Sequence, residues 1–263
     1  NLTANDCDNN VFTNSKFFNN TAGVNGGAVD WHKGATNGRI EDSVFENNSA
    51  KANGGAVFWE SSGGNISDSN FTLNTANNGG AVYWSCLEGE ISGSRFISNN
   101  ATLGGAIFLE NGTLGEAIGI TITDSYFETN TAVDGGAIYW DKGYNVDIEE
   151  STFTNNTADS RGGAVFVNGA YGNITDSQFT LNEAILGGAV YLNNKELTVS
   201  GSVFTTNNAV QGGAVYIGGR NNLISGISYF NYNNATYSLR VDTSKNKDKT
   251  KVQKRRMHIC GSY

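Results

Sequence analysis

Residues 79–84 read Gly-Gly-Ala-Val-Tyr-Trp. The opening Gly-Gly-Ala returns at Gly26, Gly54, Gly104, Gly135, Gly162, Gly187 and Gly212, with spacings of 28, 25, 25, 31, 27, 25 and 25 residues along the chain. Each alanine is followed by Val or Ile, then usually an aromatic residue, then Trp, Leu, Val or Ile. Between these phrases runs a second one, Ser-x-Phe-x-x-Asn-x-Ala, whose nine phenylalanines are Phe17, Phe45, Phe71, Phe96, Phe127, Phe153, Phe179, Phe204 and Phe230. A repeat this regular sets the architecture before any other feature is weighed.

The period excludes most repeat folds. Two-helix repeats need about 33 residues and propeller blades about 40. Thr, Val, Ile, Phe, Tyr and Asn fill the segments, and these residues suit strands better than helices. The Leu-x-x-Leu-x-Leu pattern of leucine-rich repeats is missing. What remains is an all-β solenoid, a right-handed parallel β-helix of about nine coils with a period of about 26 residues. Coils stacked at ~4.8 Å would form a rod roughly 40 Å long.

The columns assign the faces. Val82 and Trp84 lie two apart and so share a face. Their equivalents are apolar in all eight copies, from Val29/Trp31 to Val215/Ile217, which places that face inward. The residue between them is Asp30, Phe58, Tyr83, Phe108, Tyr139, Phe166, Tyr191 or Tyr216. An aspartate is not buried unpaired, so this column faces out, as a stack of seven exposed rings interrupted by Asp30. In the second phrase Phe and the Ser two before it point inward. In seven copies an Ile or Val lies five before the Phe, which breaks the period of two. The break coincides with Asp42, Asp68, Gly93, Asp124, Glu150, Asp176 and Gly201. Asp exchanging with Gly marks a bend with positive φ. The repeated Asn is expected to turn the coil and to form a hydrogen-bonded ladder along the rod.

Glycine is 34 of 263 residues and proline is absent, yet no three-residue period exists, so collagen is excluded. An aromatic content of 11% argues against disorder. No apolar run approaches the ~20 residues of a membrane span, and no signal peptide is evident. The chain begins in mid-repeat, so further coils are expected upstream. Residues 1–239 carry nine Lys/Arg against 23 Asp/Glu, a net charge of −14, whereas residues 240–263 carry eight against two, a net of +6. The chain therefore divides into a repeat domain, 1–239, and a basic tail, 240–263, that is poorly ordered or capping. So acidic a body is a poor nucleic-acid ligand. Cys7, Cys86 and Cys260 show neither a disulfide framework nor zinc spacing, and read as unrelated thiols.

The paired Gly-Gly-Ala-Ile/Val and Phe-x-x-Asn phrases resemble the repeat of chlamydial polymorphic outer membrane proteins, and of adhesin-like surface proteins of methanogenic archaea. The resemblance covers residues 15 to about 237. It implies a right-handed parallel β-helix displayed outside the cell, at the cell surface, wall or outer membrane, with adhesion to host or neighbour-cell glycans or proteins as its role. The C-terminal outer-membrane barrel of the bacterial members is not found in this sequence.

No catalytic constellation is evident, and no cofactor is expected. His32 and His258 sit in unlike contexts, and the Gly-His-Gly of β-helix glycosidases is missing. The alternative function is a polysaccharide lyase or glycoside hydrolase of the pectate-lyase-like class. Asp124, Glu150 and Asp176 stand on consecutive coils, where a hard cation is conceivable, although an aspartate capping its own bend is the simpler reading. Ten Asn-x-Ser/Thr sequons occur, at Asn1, Asn19, Asn47, Asn65, Asn70, Asn100, Asn111, Asn155, Asn173 and Asn234; they are glycan acceptors if the chain is exported, though a chain this rich in Asn, Ser and Thr produces sequons by composition alone. A specific partner site needs a break in the repetition, and the insertion from Glu110 to Gly119 is the clearest one. The candidate partner or glycan site is therefore Tyr83, Phe108, Glu110, Asn111, Glu116 and Tyr139.

Overall fold

The computed structural model describes residues 2–4, 9–32, 34, 36–85, 88–110, 119–142, 145–193 and 196–237. The basic tail and all three cysteines lie outside the described residues. Every pair of neighbouring strands is parallel. Three sheets of nine strands each run along the rod, so eight stacking steps separate first from last. They are the Gly-Gly-Ala sheet (Val82–Trp84 and its equivalents), the Ile sheet (Asn65 to Ser67 within Gly64–Ser67) and the Phe sheet (Thr152–Thr154). Short strands such as Thr131–Asp134 and Thr157–Arg161 line the remaining corner.

Register follows the repeat. Val82 faces Val57 and Ile107, and Phe153 faces Phe127 and Phe179. The interior is a set of one-residue columns. Phe17 through Phe230 form one continuous stack with neighbouring centroids 4.6–4.9 Å apart. Trp31, Trp59 and Trp84 form another, at 4.4 and 4.8 Å. The tryptophans need room opposite them. A Cβ on Gly38, Gly64 or Gly89 would lie 2.1–2.4 Å from the indole of Trp31, Trp59 or Trp84. Where Leu109 replaces Trp, the facing position holds Ile120, and both are fully buried.

The buried polar columns are satisfied. Asn156 donates from Nδ2 to Phe127 O and to Asn182 Oδ1, at 3.0 Å each, and its Oδ1 accepts from both Asn130 N and Asn130 Nδ2. The same pattern links Asn20 to Asn233. Ser151 Oγ donates across its bend to Glu149 O and accepts the Ser125 N–H. Buried polar groups matched this way do not carry the desolvation penalty of unmade bonds.

Both bends lie in the left-handed region. Asp42, Asp68, Asp124, Glu150 and Asp176 have φ of 47–49°, and Gly93 and Gly201 share the column at 56° and 62°, as the Asp/Gly exchange implied. The other turn corrects the expectation placed on the repeated Asn. The residue before it takes the positive φ, as at Asn47 (54°), Leu73 (56°), Thr129 (53°), Asn155 (55°) and Leu181 (59°), while the Asn is buried in its ladder. The ladder dictates this conformation, because it holds the next side chain inward. Leucine pays about 1–2 kcal/mol for a left-handed backbone, a cost that Asn largely avoids. Leu181 is also exposed. Leu181→Asn is therefore expected to stabilise the chain by about 0.5–1 kcal/mol in urea denaturation. A loss of stability would mean that Leu181 makes an apolar contact that matters more than its backbone strain.

Candidate functional site

The outward face of the Gly-Gly-Ala sheet holds most of the predicted site. Eight of the sheet's nine strands, from Val29–Trp31 onward, are delivered by two glycines. The first has positive φ, 63° at both Gly79 and Gly104. The second lets neighbouring coils touch, since a Cβ on Gly80 would lie 2.1 Å from Gly105 O. The strand then presents its middle residue outward.

The aromatic column faces outward as the alternation requires, but it is not exposed. Tyr83 keeps 7% of its surface, Phe108 6% and Phe166 1%. The rings hide one another. Phe58, Tyr83, Phe108, Tyr139, Phe166, Tyr191 and Tyr216 stack with successive centroids 4.7–5.2 Å apart. Two residues that immediately precede a Gly-Gly, Leu103 and Arg161, flank the stack. Leu103 packs on the Phe58–Tyr83–Phe108 cluster. Arg161 lies 4.6 Å over the Phe166 ring and 5.9 Å from that of Tyr191. Asp134 holds that guanidinium through two bonds, Nε to Oδ1 at 2.9 Å and Nη2 to Oδ2 at 2.6 Å. The arrangement is a small second core outside the first. A sugar stacking on an aromatic residue needs a free ring face, and from Tyr83 to Tyr191 each ring is stacked on both sides by its neighbours.

Beside the stack runs a polar rim. The Tyr83 hydroxyl donates to Glu110. Glu110 is in register with Asp141 on the next coil. Asp141 accepts from Asn168 Nδ2 at 2.8 Å and pairs with Lys142 at 3.3 Å, and Asn193 donates to Asn168 at 2.8 Å. At the other end, His32 lies 3.3 Å from Asp30 and 3.7 Å from Glu60. Burial, and then the neighbouring Asp141 carboxylate, push the Glu110 carboxyl above its ordinary value. Burial also raises Asp30, and with the Asp141 and Asp134 charges pushes the Tyr139 hydroxyl up to about 12.

The stacking of the coils brings Tyr83, Phe108, Glu110 and Tyr139 together, whereas Asn111 and Glu116 lie outside the described residues. Sequence reasoning missed Asp134, Arg161, Asp141 and Asn168. A signal was present for the first two: each immediately precedes a Gly-Gly, so opposite charges occupy one column on adjacent coils. Asp124, Glu150 and Asp176 serve as bends, and among the described residues no group of three or more His, Cys, Asp or Glu side chains is placed to hold a metal ion. No helix among the described residues is long and apolar enough to cross a membrane.

A raised carboxyl pKa means that the folded state binds a proton more tightly than the unfolded chain. Its ionisation therefore lowers stability as pH rises from the ordinary carboxylate range through the raised value. Glu110→Gln removes that loss and still offers Tyr83 an acceptor. The expected gain at pH 7 is about 0.5 kcal/mol or less, because the group stays partly solvated, and it should vanish at acid pH. Melting curves across pH check this, and an equal gain at every pH would contradict it.

Comparison with known families gives two matches. The model of the right handed beta helix region matches residues 2–153. That of the Chlamydia polymorphic membrane protein repeat matches residues 150–168. No curated protein and no solved structure matches the chain.

Proposed function

Since the chain belongs to the right-handed β-helix family and carries a polymorphic membrane protein repeat, we propose that it is a surface-displayed, non-catalytic adhesin-like domain, part stalk and part contact surface. The observation that carries this reading is the outer face of the Gly-Gly-Ala sheet. Its rings stiffen the rod by stacking on each other, and its rim repeats hydroxyl, carboxylate and amide groups from coil to coil. Repeated polar chemistry on a rigid rod suits weak contacts made many times over, in which avidity supplies the strength. The partner class is a glycan or protein on a host or neighbouring cell, met through hydrogen bonds rather than ring stacking.

The test is binding of bead-coupled chain to a glycan array and to cells. The comparison is the double variant Tyr83→Phe/Tyr139→Phe, which keeps the rings and removes two rim hydroxyls. Binding should fall at least fivefold, with stability lowered by no more than about 1 kcal/mol for the lost Tyr83–Glu110 bond. Binding equal to the parent chain would remove the rim as the contact. Release of unsaturated or reducing sugars from polygalacturonate would replace this reading with the enzymatic one.

A further inference from the structure

Ten Asn-x-Ser/Thr sequons occur in the chain, and the fold separates those it describes into two groups. In five of them the Asn amide is already engaged with a neighbouring coil. Asn47 Nδ2 donates to Asn19 Oδ1 at 2.6 Å, Asn100 to Thr131 at 2.6 Å, Asn173 to Asp147 at 2.7 Å, Asn234 to Asn208 at 3.0 Å and Asn65 to Glu90 at 3.4 Å. Asn65 and Asn173 are also half-buried. The other three, Asn19, Asn70 and Asn155, are exposed, and their amide nitrogens have no hydrogen-bond partner among the described residues.

Their placement supports modification. Asn19 and Asn155 occupy the left-handed turn, with φ of 57° and 55°, directly before the ladder residues Asn20 and Asn156. That turn throws the side chain outward while the ladder fixes the backbone. Asn70 and Thr72 are i and i+2 on one strand of the Phe sheet and so present amide and hydroxyl on the same outward face. No described sequon asparagine lies within a strand of the Gly-Gly-Ala sheet.

We infer that Asn19, Asn70 and Asn155 are N-glycosylation sites, and that sugars there leave the Gly-Gly-Ala face bare for contact. This rests on the reading of the chain as exported. In the reaction, the Asn Nδ2 bonds to the anomeric carbon of a diphosphate-activated sugar. The bond from that carbon to the diphosphate oxygen breaks, the diphosphate leaves with the electron pair, and the amide proton passes to the transferase's base.

Two measurements test it. In the first, folded chain and urea-unfolded chain, refolded or diluted only after labelling, are treated with a soluble N-glycosyltransferase that tolerates urea and a nucleoside-diphosphate hexose. Labelled sites are then mapped by peptide mass. The unfolded chain should be modified without preference, and the folded chain at Asn19, Asn70 and Asn155 at least fivefold faster than at the five bonded sequons, since an engaged amide must first break its bond. The same site order in both states, or preference for Asn47 or Asn100, overturns the assignment. In the second, the protein is taken from the cells that make it. Surface protease sensitivity reports export, and intact mass reports sugar. Exported protein with bare polypeptide mass overturns the glycosylation alone. Protein shielded from protease and unmodified overturns both this inference and the surface reading.

Discussion

Gly136→Ala is expected to cost the chain more than about 4 kcal/mol, or to prevent folding altogether, a loss outside the range of ordinary point mutations. Gly136 is the second glycine of its phrase, and its φ is not in the left-handed region, so the demand there is spatial rather than conformational. A Cβ at this position would lie 2.0 Å from Gly163 O, 2.7 Å from Thr157 O and 2.8 Å from Thr157 C. All three atoms are backbone of the next coil, so no rotamer change relieves the contact. The same two coils are joined at that level by Gly136 N–H to Gly162 O at 3.1 Å and Ala137 N–H to Ala164 O at 2.9 Å. Relief therefore means prising the coils apart and breaking bonds in a packed interior. Gly23 provides the control, because a Cβ there meets nothing within 4 Å and its φ is not positive. Gly23→Ala should change stability by no more than about 0.5 kcal/mol. Denaturant melts that place Gly136→Ala within 1 kcal/mol of the parent would refute coil contact as the reason for the glycine.

The contrast between these two glycines bears on how much of the molecule can be read from residues alone. Columns whose side chains answer to a single demand were legible. Val82 and Trp84 alternate with Tyr83, and the strand follows. Asp68 and Gly93 exchange because both tolerate positive φ, and the bend follows. Features that arise between coils were not. Leu73, Thr129 and Leu181 carry no turn signature, since the neighbouring Asn ladder imposes their backbone. The alternation also placed Phe108 outward correctly. Its burial comes from Tyr83 and Tyr139 on adjacent coils, 25 residues before it and 31 after, and no single strand reveals that. Asp134 and Arg161 were missed for the same reason, because their pairing exists only once the coils are stacked. For a solenoid, a position has to be read down its column as well as along its strand.

The Phe column gives the second large effect. Phe153→Ala is expected to destabilise by about 3–5 kcal/mol. The ring is fully buried and stacked between Phe127 and Phe179, at 4.7 Å on each side. Its removal opens a cavity that the neighbouring rings cannot close, because each is held in register by parallel pairing of its own strand. The backbone is not disturbed, since Phe153 O still accepts from Asn182 Nδ2, so the loss reports side-chain packing alone. Thr152→Ala, on the outward side of the same strand, should cost no more than about 0.5 kcal/mol. Phe230→Ala separates packing from mere position in the column. Phe230 stacks on Phe204 at 4.9 Å with no second described ring beyond it, and it is 37% exposed. Half the ring contacts and much less burial are lost there, so its cost should stay below about 2 kcal/mol. Urea denaturation of the three variants side by side decides the matter. Equal losses at Phe153 and Thr152 would mean the faces are inverted. Equal losses at Phe153 and Phe230 would mean that the column is not stabilised by rings enclosed on both sides, and the account of the interior as stacked one-residue columns would have to be abandoned.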